Sequence, residues 1–142
     1  MRVLMIIVLG IGLMEEANAF SEKDTITNWQ VYLDDSLLFR SHEFEDVIRL
    51  AEISAGQDYD SLRFNIFYDF AMHEMDRSLE IRFEGSVLAK FDLRNPVGRT
   101  FNIRKEAIDK LRKAHTGKIL DMIYYDEINT RGLLFGRLQL LE

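Results

Sequence analysis

The sequence contains no cysteine. Without cysteine the protein forms no disulfide bonds, offers no thiolate ligand to a metal ion and has no cysteine nucleophile. A blue-copper site is excluded because it requires a cysteine ligand. A lipoprotein is excluded as well, because no cysteine is present to carry the lipid. The fold must therefore be held together by its hydrophobic core.

Proline is almost absent, since Pro96 is the only one. The chain also has no internal repeat, no low-complexity tract and no linker-like stretch rich in proline, glycine or serine. A length of 142 residues suits one domain and is too short for two comfortable ones. We therefore expect a single domain over residues 29–142.

Basic residues are fewer than acidic ones: the chain has 18 lysines and arginines and 24 aspartates and glutamates, which gives a formal net charge of −6. Nucleic acid is not an expected partner, since binding it requires a basic face that neutralises phosphates. The serine-hydrolase elbow, the P-loop and the dinucleotide-binding glycine pattern are also missing. These absences favour a protein that binds over a protein that catalyses.

One long apolar run is present, at the start of the chain. Arg2 is followed by the apolar stretch from Val3 to Met14, and the triplet Ala17-Asn18-Ala19 comes shortly after it. A basic start, a short apolar core and a small-x-small site are typical of a secretory signal peptide. A membrane span is not expected, because crossing a bilayer takes about 20 apolar residues. A buried strand or helix of the domain is the remaining alternative.

We predict a cleavable signal peptide over residues 1–19 and a mature chain that starts at Phe20. Residues 20–28 are mainly polar, and we expect them to form a flexible N-terminus. A cysteine-free exported chain fits the bacterial periplasm or bacterial secretion better than a eukaryotic secretory route.

The rest of the chain is dominated by alternating apolar and polar residues, the pattern of half-buried strands. It occurs at 29–33, 37–40, 62–68, 79–83, 87–91 and 133–141. Residues 119–125 are apolar on both faces, which suits a central strand. About seven to eight such strands predict a mainly β protein, an antiparallel β-sandwich with Trp29 buried between its sheets.

Several connections between these strands are less regular. Asp35-Ser36 is a plausible turn. A two-residue loop at Gly85-Ser86 would give the flanking strands the wrong parity, so we expect a three-residue loop or a bulge there. Gly136 is a candidate bulge in the last strand. Residues 44–51 fit both helix and strand spacing, and a short strand at 47–50 is slightly favoured.

One amphipathic helix is predicted near the C-terminus. Asn102 can cap its start, an apolar stripe runs from Ile103 to Ala114, and Gly117 suits a left-handed C-cap. The basic residues of its last two turns are Lys110, Arg112, Lys113 and His115. Cations at this position complement the helix dipole, and contact with anionic lipid head groups or a polysaccharide is the alternative.

Two groups of residues are candidate metal ligands. His42 and His73 are each followed by a glutamate, and two histidines with a carboxylate form a reasonable zinc site. Neither has the second histidine four residues later that zinc proteases use. Asp58 and Asp60 lie at a predicted turn that could bind calcium, although turn formation alone explains them. The sequence therefore requires no cofactor and leaves calcium or zinc as alternatives.

Three functions remain open. The first is an exported β-sandwich that binds an unknown protein or polymer and has no catalytic residue. The second is a hydrolase of envelope or extracellular polymers, which would use paired carboxylates and His42 or His73. Such groups would have to converge in an apolar-walled cleft. The third is a structural subunit that associates through an edge strand.

Overall fold

The computed structural model describes residues 27–68, 74–93 and 99–142. The predicted signal peptide and residues 20–26 lie outside these ranges. The described residues form β1 (Asn28–Leu33), β2 (Ser36–His42), β3 (Leu50–Ile53), β4 (Ser61–Phe67), β5 (Arg77–Phe83), β6 (Ser86–Leu93), β7 (Thr100–Arg104), α1 (Lys105–His115), β8 (Ile119–Tyr125) and β9 (Leu133–Leu140).

The strands form two sheets that share one core. Sheet A has the order β2-β1-β4-β7, and sheet B has the order β3-β9-β8-β5-β6. Among the described strands all neighbours are antiparallel except β3 and β9, which are parallel. The prediction of a mainly β, antiparallel sandwich is confirmed, with nine described strands in place of seven or eight.

Aromatic side chains from both sheets fill the core. Phe64 of β4 stacks on Phe135 of β9, with ring centroids 4.0 Å apart, and also lies 5.6 Å from the ring of Tyr124. Trp29 is buried, as predicted. Aromatic pairs of this kind contribute about 0.5–1.5 kcal/mol beyond their buried area. Aromatic packing between the sheets thus stabilises a small domain that has no disulfide bonds.

The predictions for sheet B hold in outline. β8 is the central strand, as expected, and the register of β5 and β6 shifts between Ile81 and Arg82, which confirms a bulge. The turn itself is formed by Glu84 and Gly85, with φ of 47° and 83°, and not by Gly85-Ser86. A turn with positive φ at both positions has the twist that a two-residue hairpin requires.

The turn between β1 and β2 is one residue earlier than predicted. Asp34 and Asp35 form it, and Ser36 already belongs to β2. Asp34 adopts a φ of 51°, a conformation that aspartate tolerates better than most residues. β1 begins at Asn28, the last residue of the segment expected to be flexible.

The strand predicted over residues 47–50 is wrong except for its last residue. β3 starts at Leu50, and residues 45–49 have no regular structure. Alternating burial starts only at Leu50, where Ala51 and Ile53 enter the core. The apolar residues before it do not face the core, so their local pattern was misleading.

The helix starts later than predicted because its first apolar residue belongs to a strand. Asn102 and Ile103 lie in β7, and α1 follows at Lys105 with Arg104 at the N-cap position and no side-chain cap. Asn102 as a cap is therefore wrong. Gly117 has the expected positive φ, 73°. No helix in the described part of the chain is long and apolar enough to cross a membrane.

The edge strands define two opposite sides of the sandwich. β2 and β3 are the edges of sheets A and B on one side, and they contact each other. β6 and β7 are the edges on the other side, where they also contact each other and α1 follows β7. The two sides carry the surfaces described next.

Candidate functional site

The predicted metal ligands are spread over separate loops. His42 is exposed at the end of β2, and its Nδ1 accepts a hydrogen bond from the backbone N–H of Phe44 at 3.3 Å. His73 lies outside the described residues. Asp58 and Asp60 are exposed in the loop between β3 and β4. Within the described ranges no group of three or more acidic or histidine side chains could hold a metal ion, and the zinc and calcium sites stay predictions.

Asp34, an acidic residue of the turn between β1 and β2, anchors this loop. The Asp34 carboxylate accepts hydrogen bonds from the backbone N–H groups of Asp60 at 3.0 Å and Ser61 at 2.9 Å. These bonds hold the pKa of Asp34 below its usual value. Asp60 therefore contributes its backbone to a loop anchor, which is the turn-forming role considered for it above.

The basic end of α1 is partly a structural element. Arg112 is buried, donates to Asp109 at 2.5 Å and reaches the carbonyl oxygen of Ile53 at 3.4 Å. Lys105 binds the same Asp109 carboxylate at 2.6 Å, and this hydrogen bond is the main reason why the pKa of Asp109 is lowered. Arg112 is thus buried and bonded to other residues of the fold, so it is not exposed for contact with an anionic surface.

A buried carboxylate joins β4, β8 and the loop after β8. Asp126 accepts hydrogen bonds from the hydroxyls of Tyr68 and Tyr124, the latter at 2.9 Å, and from the backbone N–H groups of Ile128 and Asn129. Burial alone would raise the pKa of Asp126, but these hydrogen bonds outweigh it and lower the pKa. Burial is also the main cause of the raised pKa of Tyr68 and Tyr124. The cluster therefore keeps an ionised, fully bonded carboxylate inside the protein.

A cleft of about 590 Å³ lies beside this cluster, at the end of β5, β6 and β8. Its carboxylates are Asp76, Asp92, Asp126 and Glu127. Lys90 also lines the cleft and lies 3.6 Å from Asp92. A general acid must carry a proton at working pH, whereas Asp126 is held ionised. A hydrolase site, if present, would lie in this cleft. Its most buried carboxylate, Asp126, already accepts hydrogen bonds from within the protein.

The clearest surface feature is the connection between β2 and β3, residues 43–50, which we call the β2–β3 segment. Phe44 is 72% exposed, Val47 58%, Ile48 39% and Leu50 43%. These are four of the eight large apolar side chains that are exposed among the described residues. Their concentration in one short stretch distinguishes the segment from the scattered exposed residues elsewhere.

The β2–β3 segment is held in place although most of it has no regular structure. Ser41 donates a hydrogen bond to Glu45 at 2.5 Å, and Arg49 forms an ion pair with the same carboxylate. The bond from Ser41 is the main reason why the pKa of Glu45 is lowered. The backbone N–H of Glu43 donates to the carbonyl oxygen of Thr27 at 3.0 Å. The exposed apolar side chains are therefore presented from an anchored backbone.

Polar side chains border this segment. A hollow of about 510 Å³ on sheet A is lined by Asn28, Gln30, Arg40, His42, Glu45 and Arg49, among others. An apolar patch with arginine-containing polar surroundings has the composition of a protein–protein interface. His42, predicted as a zinc ligand, thus lies at the border of the apolar patch.

The opposite side of the sandwich carries an apolar groove between β6 and α1, the β6–α1 groove. It has a volume of about 350 Å³. Its apolar lining consists of Leu88, Ala89, Phe91, Ala107, Leu111 and Ala114, and Lys110 and His115 complete it. The alanines leave room between strand and helix because their side chains are small. Sequence reasoning assigned these residues to a strand and a helix but could not show that the two elements meet.

No protein-family model matches the chain, and no curated protein matches it.

Proposed function

We propose that this protein is an exported, non-catalytic interaction module that binds a partner protein through the β2–β3 segment. The observation that carries the proposal is the cluster of Phe44, Val47, Ile48 and Leu50 on an anchored backbone. Single exposed apolar residues are normal, but a contiguous patch of them marks an interaction surface.

A protein partner fits this surface better than a lipid membrane does. The segment contains Glu43, Glu45 and Asp46, and the chain carries a net charge of −6. Anionic lipid surfaces repel such a segment and attract basic ones. Protein interfaces, by contrast, combine an apolar centre with a polar, arginine-rich border, and Arg40 and Arg49 lie beside the patch.

Export is supported by the sequence of residues 1–19, whose basic start, apolar core and small-x-small end are typical of a signal peptide. A binding module outside the cytoplasm would act on partners in the periplasm or the medium. A non-catalytic role is supported by the lack of sequence motifs and by the hydrogen bonds that the Asp126 carboxylate already accepts in the cleft at the end of β5, β6 and β8.

Site-specific photo-cross-linking tests the proposed function. A photo-reactive phenylalanine analogue replaces Phe44, and matched controls carry it at Leu37 and Ile128, which are 49% and 54% exposed. In the cells that produce the protein, we expect a discrete cross-linked adduct from position 44 that is lost when Ile48→Asp is added. No adduct, or equal adducts from all three positions, would contradict the proposal. Thermal melting verifies that each variant is folded.

A hydrolase is the second hypothesis, supported by four carboxylates in the cleft beside Tyr68. It predicts the release of reducing ends from bacterial envelope polysaccharides. That release must be abolished by Glu127→Gln and must survive Phe44→Ser. A preparation that releases no reducing ends from these polysaccharides removes this hypothesis.

A further inference from the structure

We propose that the partner of the β2–β3 segment is a second copy of this chain, which receives Phe44 in its β6–α1 groove. The inference rests on the proposed function, because it names the partner of the same surface. Both surfaces are present on every copy of the chain, and they are complementary in charge and in shape.

The charges of the two surfaces are complementary. In the β2–β3 segment, the exposed residues Glu43 and Asp46 lie on either side of Phe44 in the sequence, and the basic residue Arg49 is paired with Glu45. Among the described residues, the lining of the β6–α1 groove contains Lys110 and His115 and no aspartate or glutamate. An acidic apolar segment facing a basic apolar groove favours this pairing over pairing of either surface with itself, because like charges across an interface are destabilising.

The shapes also correspond. Phe44 is the most exposed of the large apolar side chains described. The groove, with about 350 Å³, lies at the small end of the range of protein ligand pockets. One aromatic ring and a neighbouring branched side chain such as Val47 are of suitable size for it. A buried aromatic anchor in an apolar pocket is the usual centre of a protein interface.

The position of β6 gives the contact a further source of affinity. β6 spans eight residues, is the edge of sheet B, and pairs only with β5 among the described strands. An edge strand presents backbone N–H and C=O groups that an incoming segment can use. Residues 45–49 have no regular structure, although the carbonyl oxygen of Arg49 accepts a hydrogen bond from the backbone N–H of Arg137 in β9. The incoming backbone would therefore come from the residues before Arg49.

The location of the two surfaces determines the type of assembly. The β2–β3 segment lies on the side formed by β2 and β3, whereas the groove lies on the side of β6 and β7. One copy can therefore donate Phe44 and receive another at the same time. Such a head-to-tail contact is heterologous and produces rings or open chains of copies rather than closed two-fold dimers.

The test uses sedimentation velocity on the purified full chain at increasing protein concentration. We expect the mean mass to rise above that of a monomer, and we expect Phe44→Ser and Ala114→Glu each to abolish the rise. Ile128→Ser and Ala55→Glu are the matched controls, since they alter exposed residues outside both surfaces. Thermal melting confirms that all four variants fold.

The decisive step is to mix the two defective variants. Phe44→Ser retains the groove and Ala114→Glu retains the donor, so an equimolar mixture should form a complex of about twice the monomer mass and nothing larger. A mixture that stays monomeric, or a parent that is monomeric at every concentration, overturns the inference. If the parent is monomeric but position 44 cross-links to a protein whose mass differs from that of this chain, self-association is wrong and the proposed function still holds.

Discussion

The indole Nε1 of Trp29 donates a hydrogen bond to the carbonyl oxygen of Phe135 at 2.9 Å, and this bond joins the two sheets. Trp29 lies in β1 of sheet A, and Phe135 lies in β9 of sheet B. The register between β8 and β9 passes from Gly136 directly to Leu134, so Phe135 is the extra residue of a bulge. A bulge leaves the extra residue outside the ladder, which frees its carbonyl oxygen for the tryptophan.

Replacement of Trp29 should separate packing from hydrogen bonding. Trp29→Ala removes a buried aromatic side chain, at a cost of about 3–5 kcal/mol, and should prevent stable folding. Trp29→Phe keeps a ring but leaves the Phe135 carbonyl oxygen unbonded, which costs about 1–3 kcal/mol. Urea denaturation followed by far-UV circular dichroism measures both. A parent-like midpoint for Trp29→Ala would refute this account of the core.

Gly136 should not tolerate a side chain. A Cβ at this position would overlap Cζ of Phe39 and lie 3.3 Å from Cε of Met122. We expect Gly136→Ala to lower the free energy of unfolding by about 1–3 kcal/mol through overpacking. Adding Phe39→Leu should recover part of the loss. Gly56→Ala is the control, because nothing lies within 4 Å of its Cβ, and equal losses at both glycines would contradict the prediction.

The Asp126 cluster should make stability depend on acid pH. The pKa of Asp126 is lower in the folded protein than in the unfolded chain, where it is about 3.9. Its contribution is therefore complete above about pH 4 and is lost as the pH falls through the folded-state pKa. The stability difference between the parent and Asp126→Asn should be constant above that pH and shrink below it. Urea denaturation between pH 2.5 and about 7 measures it.

The tyrosine hydroxyl provides a second way to move this acid transition. Tyr68→Phe removes a hydrogen bond that lowers the pKa of Asp126. The pKa of the unfolded chain sets the pH at which acidification begins to reduce stability, so that onset should not move. The total loss of stability should be smaller than in the parent and should be complete at a higher pH. An unchanged acid profile for this variant would show that the hydroxyl does not stabilise the carboxylate.

Two adjacent basic residues of α1 should behave differently. Arg112→Glu places a negative charge beside Asp109 and removes the buried Arg112 guanidinium from its ion pair with that carboxylate, whose side chain is 35% exposed. The loss of this charged hydrogen bond should cost about 1.5–3 kcal/mol. Lys113 is exposed, and Lys113→Glu should change stability by less than about 0.5 kcal/mol. Thermal and urea denaturation compare the two variants. Equal destabilisation would mean that Arg112 has no special structural role.

The signal-peptide prediction has a direct test. In a bacterial host the protein should appear outside the cytoplasm with a mature N-terminus at Phe20, because cleavage is expected after Ala19. Intact-mass measurement of the exported fraction reports the cleavage site. Ala19→Arg should retain the uncleaved chain, and a wild-type protein that keeps Met1 would contradict the prediction.

Local patterns of apolar and polar residues were enough to predict the class of fold and the buried faces of the most regular strands. In the stretch Leu62, Phe64 and Ile66, side chains alternate between the two faces of a strand, so the apolar ones had to face the core. The same reasoning identified the central strand at 119–125 and two buried residues of the helix, Ile108 and Leu111. Of the predicted apolar stripe, Ile103 belongs to β7 and Ala114 is exposed. The reasoning failed over residues 44–50, because an apolar pattern indicates periodicity but does not show whether a core lies opposite.

Contacts between residues that are far apart in the chain could be seen only in the folded structure. Trp29 and Phe135 are 106 positions apart, and Tyr68 and Asp126 are 58 apart. The β6–α1 groove exists only because a strand and a later helix meet at one edge of the sandwich. Local patterning fixes the period and the buried face of each element. The choice of neighbour depends on packing and connectivity across the whole chain, which no short stretch of sequence contains.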